Sequence, residues 1–188
     1  PLQIIATKLP IFILSFFLYS KNMFRIIIVC LIFSSNVCFA SSMKMIGEKG
    51  KEVDVTKVIT VKMFDNYYEP NEIKVKKGET IKFVVKNMGE LVHEYNIATK
   101  DMHLKHQPEM SKMVEQEILL ADKIDKNKMK EMAKKDHAMA HKHANSLLLE
   151  PNETGEIVWK FSTSTKLEVA CNVPGHYETG MIAKILTD

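Results

Sequence analysis

A cysteine, a histidine and a methionine near the end of the chain have the spacing of metal ligands in one loop. Cys171, His176 and Met181 follow the pattern C-x4-H-x4-M, and Pro174-Gly175 predicts a turn that folds the loop back. A thiolate, an imidazole and a thioether can then converge on one point. Sulfur ligands combined with imidazole suit copper.

His93 is the expected fourth ligand. A trigonal plane of two histidines and one cysteine with a weak axial methionine defines a blue copper site, and the loop lacks one histidine of this set. His93 lies on a predicted strand, on the same parity as Tyr95 and Ile97. Taken singly, Cys171 could be a buried structural thiol, His93 a hydrogen-bonded strand residue and Met181 a core residue. Their combination favours a metal site.

Short strands with alternating apolar residues must position these ligands. Roughly seven strands are predicted, and turn residues such as Lys77-Gly78 and Pro151-Asn152 separate them. The predicted strands cover residues 73–75, 81–85, 91–98, 146–149, 157–161, 167–171 and 181–186. This pattern predicts an all-β fold, a β-sandwich of about a hundred residues.

An insert at about residues 99–145 interrupts the strands and is rich in Lys, Glu, Met and Ala, which favour helix. It contains five of the seven histidines (His103, His106, His137, His141, His143) and six of the twelve methionines (Met102, Met110, Met113, Met129, Met132, Met139). One interpretation is a helical flap whose Met113, Ile118, Leu119, Ile124 and Met132 cover the sandwich while the histidines are solvated. The other is an auxiliary copper-loading surface. Because the segment is predicted to be helical and mobile, its histidines are poorer candidates than His93 for a rigid site.

The chain resembles the cupredoxins, the plastocyanin and azurin class of small blue copper proteins. The resemblance rests on residues 68–80, His93, Gly155 and residues 171–181, and it extends over 53–98 and 146–188. The chain is similar in particular to bacterial periplasmic cupredoxins of copper-tolerance systems. The resemblance implies a Greek-key β-sandwich and one type 1 Cu(I)/Cu(II) ion bound by His93, Cys171, His176 and Met181. Glu94 follows His93 where many blue copper proteins have Asn.

The N-terminal region predicts export. A basic start after Met23, an apolar run over residues 26–33 and the small residues before Ser41 are typical of a signal peptide cleaved after Ala40. The apolar run is shorter than the roughly 20 residues of a membrane span, so no permanent anchor is expected. An uncleaved N-terminal anchor is the alternative, because residues 11–19 are also apolar. The predicted organisation is an N-terminal extension and signal over 1–40 and a single domain over 41–188. Cleavage would leave Cys171 as the one thiol, which excludes an internal disulfide and iron–sulfur clusters.

Composition and charge exclude other classes. Lys8, Lys21 and Arg25 precede residue 41, and the remainder balances 23 basic against 23 acidic residues, which is untypical of nucleic-acid binding. No nucleophile–base or acid–base pair indicates an enzyme, and the single His-x-His at 141–143 is insufficient for a multicopper oxidase.

Two functions agree with these observations. The first is one-electron exchange in the bacterial periplasm with a redox partner protein. The alternative is copper sequestration or delivery in copper tolerance, in which the insert captures copper and a copper-handling protein is the partner. A monomer is expected in either case.

Overall fold

Alternating apolar side chains build the first sheet. In the computed structural model, which describes residues 45–188, Ile81, Phe83 and Val85 are fully buried, while Lys82 and Val84 between them are partly exposed. A strand directs successive side chains to opposite faces, so this alternation gives one face to the core.

Within the described residues, ten strands form two five-stranded mixed sheets. The strands are β1 (Glu48–Lys49), β2 (Lys57–Met63), β3 (Tyr68–Glu69), β4 (Glu72–Val75), β5 (Thr80–Asn87), β6 (His93–Ala98), β7 (Ser146–Leu149), β8 (Thr154–Lys160), β9 (Leu167–Ala170) and β10 (Ile182–Thr187). The first sheet has the order β1-β8-β5-β2-β3 and the second has the order β4-β10-β9-β6-β7. The β2–β5 and β4–β10 pairs are parallel, and the other pairs are antiparallel. The predicted β-sandwich with a helical insert is confirmed.

The core lies between the sheets. Trp159 is fully buried and donates its indole N–H to the Ile46 carbonyl at 3.0 Å. Phe83 of the first sheet meets Tyr95 of the second with ring centroids 5.6 Å apart. Cys171 and Met181 belong to the same buried cluster, so the candidate ligands lie at the edge of a packed core.

Three of the ten strands were not individually predicted, for two reasons. β1 and β3 have two residues each, which is too short for a period. In β2 only Val61 and Met63 are buried, whereas Val58 is 59% exposed, so apolar residues occur without a regular alternation. Pairing with β5 places β2 in the sheet.

The insert packs on the outer face of the second sheet. It contains α1 (Lys100–Glu115), α2 (Lys126–Met132) and a 3-10 helix (His137–Ala140). The side chain of Thr99 caps α1 and that of Asp125 caps α2. A second apolar cluster, which we call the insert core, consists of Val92, Met110, Met113, Ile118, Leu119, Ile124 and Met139. Because the insert lies over one face of β6 and the sandwich core lies against the other, all six residues of that strand are buried.

The flap interpretation holds for the apolar residues of the insert. Met113, Ile118, Leu119 and Ile124 are at most 5% exposed, and Met132 packs partly buried against them. The predicted signal peptide and the predicted boundary at residue 40 lie outside the described residues. Within 45–188, no helix combines the length and the apolar character that crossing a membrane requires.

Candidate metal centre

The loop after β9 places Cys171 and Met181 side by side. Antiparallel pairing of β9 with β10 closes the loop, and the Cys171 N–H donates to the Met181 carbonyl at 3.2 Å. The Met181 N–H donates to the His176 carbonyl at 3.0 Å. Gly175 adopts the left-handed conformation with φ of 89°, which glycine enters without steric penalty. The loop therefore brings its three candidate ligands to one end of the sandwich.

Three donor atoms converge at this end. His176 Nδ1 lies 3.3 Å from Cys171 Sγ and 3.2 Å from His93 Nδ1, and the Cys171 Sγ to His93 Nδ1 distance is 4.0 Å. In a trigonal plane with metal–nitrogen bonds of about 2.0–2.1 Å and metal–sulfur bonds of about 2.3 Å, these separations would be about 3.5–3.8 Å. The side chain of Met181 is fully buried in the adjoining core. The donor set and its spacing fit a copper ion.

Asp65 orients His93. His93 Nε2–H donates to Asp65 Oδ1 at 3.0 Å, which leaves the Nδ1 lone pair directed at Cys171 and His176. The backbone N–H groups of Glu90 and Leu91 donate to the same oxygen at 2.9 and 3.2 Å. The sequence analysis did not identify Asp65, because it lies between β2 and β3, far along the chain from the other candidates.

The protonation states of the three donors follow mainly from burial. Burial lowers the pKa of His93, against the opposing effect of Asp65, and burial also lowers the pKa of His176. Both imidazoles are therefore neutral at pH 7, as metal ligands must be. Burial raises the pKa of the Cys171 thiol to about 12, so metal binding at neutral pH would release its proton.

The backbone of Glu94 connects the metal centre to the core. Its N–H donates to Cys171 Sγ at 3.3 Å, and its carbonyl accepts a hydrogen bond from the Tyr68 hydroxyl at 2.6 Å. A hydrogen bond to the sulfur is one of the features that adjust the redox potential of a copper–thiolate site. Because this contact uses the backbone N–H, it would form equally with Glu or with Asn at position 94.

The Glu94 side chain is a fully buried carboxylate with several donors. Oε2 accepts from the Asn172 N–H at 3.2 Å and from Asn172 Nδ2 at 2.7 Å. Oε1 accepts from Ser146 Oγ at 2.6 Å and from Asn96 Nδ2 at 3.0 Å. Burial raises the pKa of the Glu94 carboxyl, but hydrogen bonds from His106 and His141 outweigh burial and hold the pKa well below its usual range. The group is therefore an anion inside the protein.

The five histidines of the insert lie in three different environments. His137 is exposed, and His103 is buried with its Nδ1 3.1 Å from Asn172 Nδ2. His106, His141 and His143 form a second cluster, in which one ligand nitrogen from each lies within 4.8 Å of the others. Their side chains are 12%, 3% and 25% exposed, so the expectation of solvated histidines is wrong for these three and for the buried His103.

The methionines of the insert fit the interpretation of the insert as a helical flap. Met110, Met113 and Met139 are fully buried in the insert core, and Met129 and Met132 pack partly buried against it. Their thioethers therefore contribute to packing. The predicted copper-loading residues thus include one group of histidines with metal-ligand spacing, while these methionines pack in or against the insert core.

Sequence comparison relates the chain to copper proteins. A family model described as a cupredoxin-like domain matches residues 26–124. The copper-resistant cuproprotein CopI of Pseudomonas aeruginosa is 36% identical over 153 residues, which cover 74% of this chain and 80% of that protein. CopI of Rubrivivax gelatinosus is 28% identical over 141 residues, covering 74% of this chain and 72% of the relative.

Solved structures support the fold. Dithionite-reduced auracyanin from Roseiflexus castenholzii superposes with a TM-score of 0.50 at 18% identity, covering 71% of this chain and 97% of the other. Auracyanin B gives a TM-score of 0.53 at 12% identity, covering 76% of this chain and 96% of auracyanin B. At these identities the likeness concerns the arrangement of the strands alone.

Proposed function

Because this chain belongs to the cupredoxin-like family and is a relative of the copper-resistant cuproprotein CopI, we propose that it holds one type 1 copper ion and exchanges one electron through it. The observation that carries the proposal is the convergence of Cys171 Sγ, His93 Nδ1 and His176 Nδ1 within 3.2–4.0 Å. Met181, at the end of the same loop, would be the fourth ligand.

The residues around the donors favour rapid electron exchange. Copper bound by this ligand set supplies a one-electron couple between Cu(I) and Cu(II). Asp65 fixes the ring of His93, and the Glu94 N–H holds the sulfur of Cys171. The hydrogen bonds at Cys171 and Met181 fix the two ends of the loop. Ligands that are held in place before binding need little rearrangement when the charge changes.

A redox titration tests the proposed activity. The copper-loaded protein is expected to lose its visible absorption on addition of one electron equivalent of reductant and to recover it with one equivalent of oxidant. The physical reason is that the ligands are fixed in the fold and need not dissociate. Optical titration under anaerobic conditions measures this. Incomplete recovery, or a requirement for two equivalents, would contradict one-electron exchange at a rigid site.

Asp65 provides a test of the ligand geometry. We expect Asp65→Ala to weaken copper binding about 10–100-fold, because loss of a hydrogen-bond partner of a ligating histidine has this effect. Asp65→Asn keeps an oxygen acceptor for His93 and should recover part of the affinity. The exposed Asp54 supplies the matched control, Asp54→Ala. Competition with a chelator measures the affinities, and equal values for Asp65→Ala and Asp54→Ala would contradict the role of Asp65.

The partner and compartment are part of the same proposal. His176 is half-buried in a loop whose Pro174, Gly175 and Glu178 are exposed, so this end of the sandwich is where a redox partner protein would approach. The predicted signal sequence supports a periplasmic location for the mature protein. We expect a monomer that acts without a permanent membrane anchor.

Copper sequestration or delivery is the second candidate function. It is favoured by the relationship to proteins named for copper resistance and by the assembly of three insert histidines into one cluster. A carrier of electrons needs one tightly bound copper ion, whereas a sequestering protein would bind more. Copper stoichiometry therefore distinguishes the two functions.

A further inference from the structure

We propose that His106, His141 and His143 form a second metal site, separate from the cysteine centre, for one divalent ion of borderline softness such as Cu(II) or Zn(II). His106 belongs to α1, and the other two follow the 3-10 helix of the insert. The site is built from residues that the cysteine centre does not use. The proposal therefore stands whether or not the cysteine centre exchanges electrons.

The three imidazole rings have the spacing of ligands on a common ion. Their centroids are 5.4 Å apart for His106 and His141, 5.2 Å for His106 and His143, and 5.1 Å for His141 and His143. Three imidazoles bound at tetrahedral angles, with metal–nitrogen bonds of about 2.0–2.1 Å, have centroids about 5.2 Å apart. The nearly equilateral triangle matches this value on all three sides.

Two carboxylates adjoin the triangle and supply negative charge. Glu94 Oε1 lies 3.2 Å from His106 Nε2 and 2.9 Å from His141 Nε2. Glu109 Oε1 lies 3.3 Å from His143 Nε2, and Glu109 Oε2 lies 3.4 Å from His106 Nδ1. Either carboxylate can orient the rings or occupy the fourth position of a tetrahedral site.

The complete burial of the Glu94 side chain against two of these histidines is a second observation. A buried carboxylate is unfavourable unless a cation compensates it. Within residues 45–188, the ion pairs of Glu94 are with His106 and His141 only, and neither Lys nor Arg takes part. A divalent ion held by these two histidines would supply a permanent positive charge beside the carboxylate.

The backbone of His141 is fixed in an uncommon conformation. Its φ of 44° and ψ of 46° lie in the left-handed region, which a non-glycine residue adopts at an energetic cost. Such conformations persist where the surrounding structure holds them, and they concentrate at ligand-binding positions. With His141 in this conformation, the rings of His141 and His143 both lie beside His106 of α1.

Zinc titration of the protein loaded with one equivalent of copper tests the site. Zinc is redox-inactive, and retention of the visible copper band would show that it has not displaced copper from the cysteine centre. Calorimetry is expected to detect one further equivalent of zinc, and a separate titration with Cu(II) should fill the same position. His143→Gln should weaken zinc binding at least about 100-fold, because the loss of even an outer partner of a ligand costs about 10–100-fold. His137→Gln, at the exposed histidine of the same insert, should leave the affinity unchanged.

The choice of variant separates ligand loss from misfolding. His143 Nε2 lies 3.3 Å from Glu109 Oε1, and within residues 45–188 the hydrogen bonds of the Glu94 carboxylate go to other residues, so replacing His143 removes none of them. Thermal unfolding of the metal-free variants tests whether each variant folds as stably as the parent protein. The Cys171→Ser/His176→Gln variant, which lacks two donors of the cysteine centre, should still bind the zinc equivalent that His143→Gln loses. Absence of zinc binding to the parent protein, or equal affinity in His143→Gln, would overturn the proposal and leave the cluster as an internal network of histidine–glutamate ion pairs.

Discussion

Replacement of Cys171 by serine is expected to abolish the intense visible absorption of the copper-loaded protein. The band arises from charge transfer between a thiolate and copper and is expected near ~600 nm for a type 1 site. Serine has almost the same size, but its hydroxyl does not supply a thiolate. Cys171 is the one cysteine within residues 45–188, so no neighbouring sulfur of this region can take its place. The measurement is the absorption spectrum of residues 41–188 after addition of Cu(II).

Ala170→Ser is the matched control for this variant. Ala170 precedes Cys171, ends β9 and is fully buried, so the control also introduces a buried hydroxyl but keeps the thiolate. We expect Ala170→Ser to retain the band. A band that persists in Cys171→Ser would show that this thiolate is not the ligand. A parent protein without any band would contradict the type 1 site, and the three-histidine cluster would then be the leading copper-binding candidate.

Glu94→Gln is expected to reduce the free energy of unfolding of the metal-free protein by about 3–5 kcal/mol, the usual effect of breaking a buried ion pair. Glutamine keeps the volume of the side chain, so a cavity is not the cause. One of its two terminal atoms becomes an NH2 group, which would face either Asn172 or the donors at Ser146 and Asn96. Either orientation places donors against donors and removes the charge that pairs with the cluster histidines. Urea unfolding measures the change.

Glu90→Gln is the control for the Glu94 variant. Glu90 is four residues away, and it is exposed. Surface substitutions of this kind usually change stability by less than about 0.5 kcal/mol. If Glu94→Gln changed the unfolding free energy as little as Glu90→Gln, the buried carboxylate would not be the organising charge of this region.

Glu94 relates the two proposed metal sites to each other. Its backbone N–H contacts the sulfur of Cys171, while its carboxylate contacts His106 and His141. The backbone contact and the side-chain contacts of Glu94 depend on different parts of the fold. The first follows from the pairing of β6 with β9 in the sandwich. The second requires the insert to pack on the outer face of that sheet.

The sequence predicted most of the sandwich because its signals are local. Apolar residues at every second position identified β4, β5, β6 and β8, and turn residues separated them. β2 lacks a clean alternation because half of it is exposed, and β1 and β3 are too short to carry one. Their places depend on pairing with distant strands. The export signal, the domain boundary at residue 40, the copper ligands and the partner stay predictions.

The sequence by itself determined that a thiolate, an imidazole and a thioether share one loop, because the spacing of Cys171, His176 and Met181 within eleven residues constrains where a hairpin can place them. It also determined that histidines accumulate in the insert. Only the tertiary structure decided that Asp65 holds His93, that Glu94 is a buried anion and that three insert histidines meet. The contacts of Asp65 with His93 and of Glu94 with His106 and Asn172 join residues 28, 12 and 78 positions apart. Periodicity along the chain shows which face a side chain occupies, whereas packing decides which distant side chain it meets.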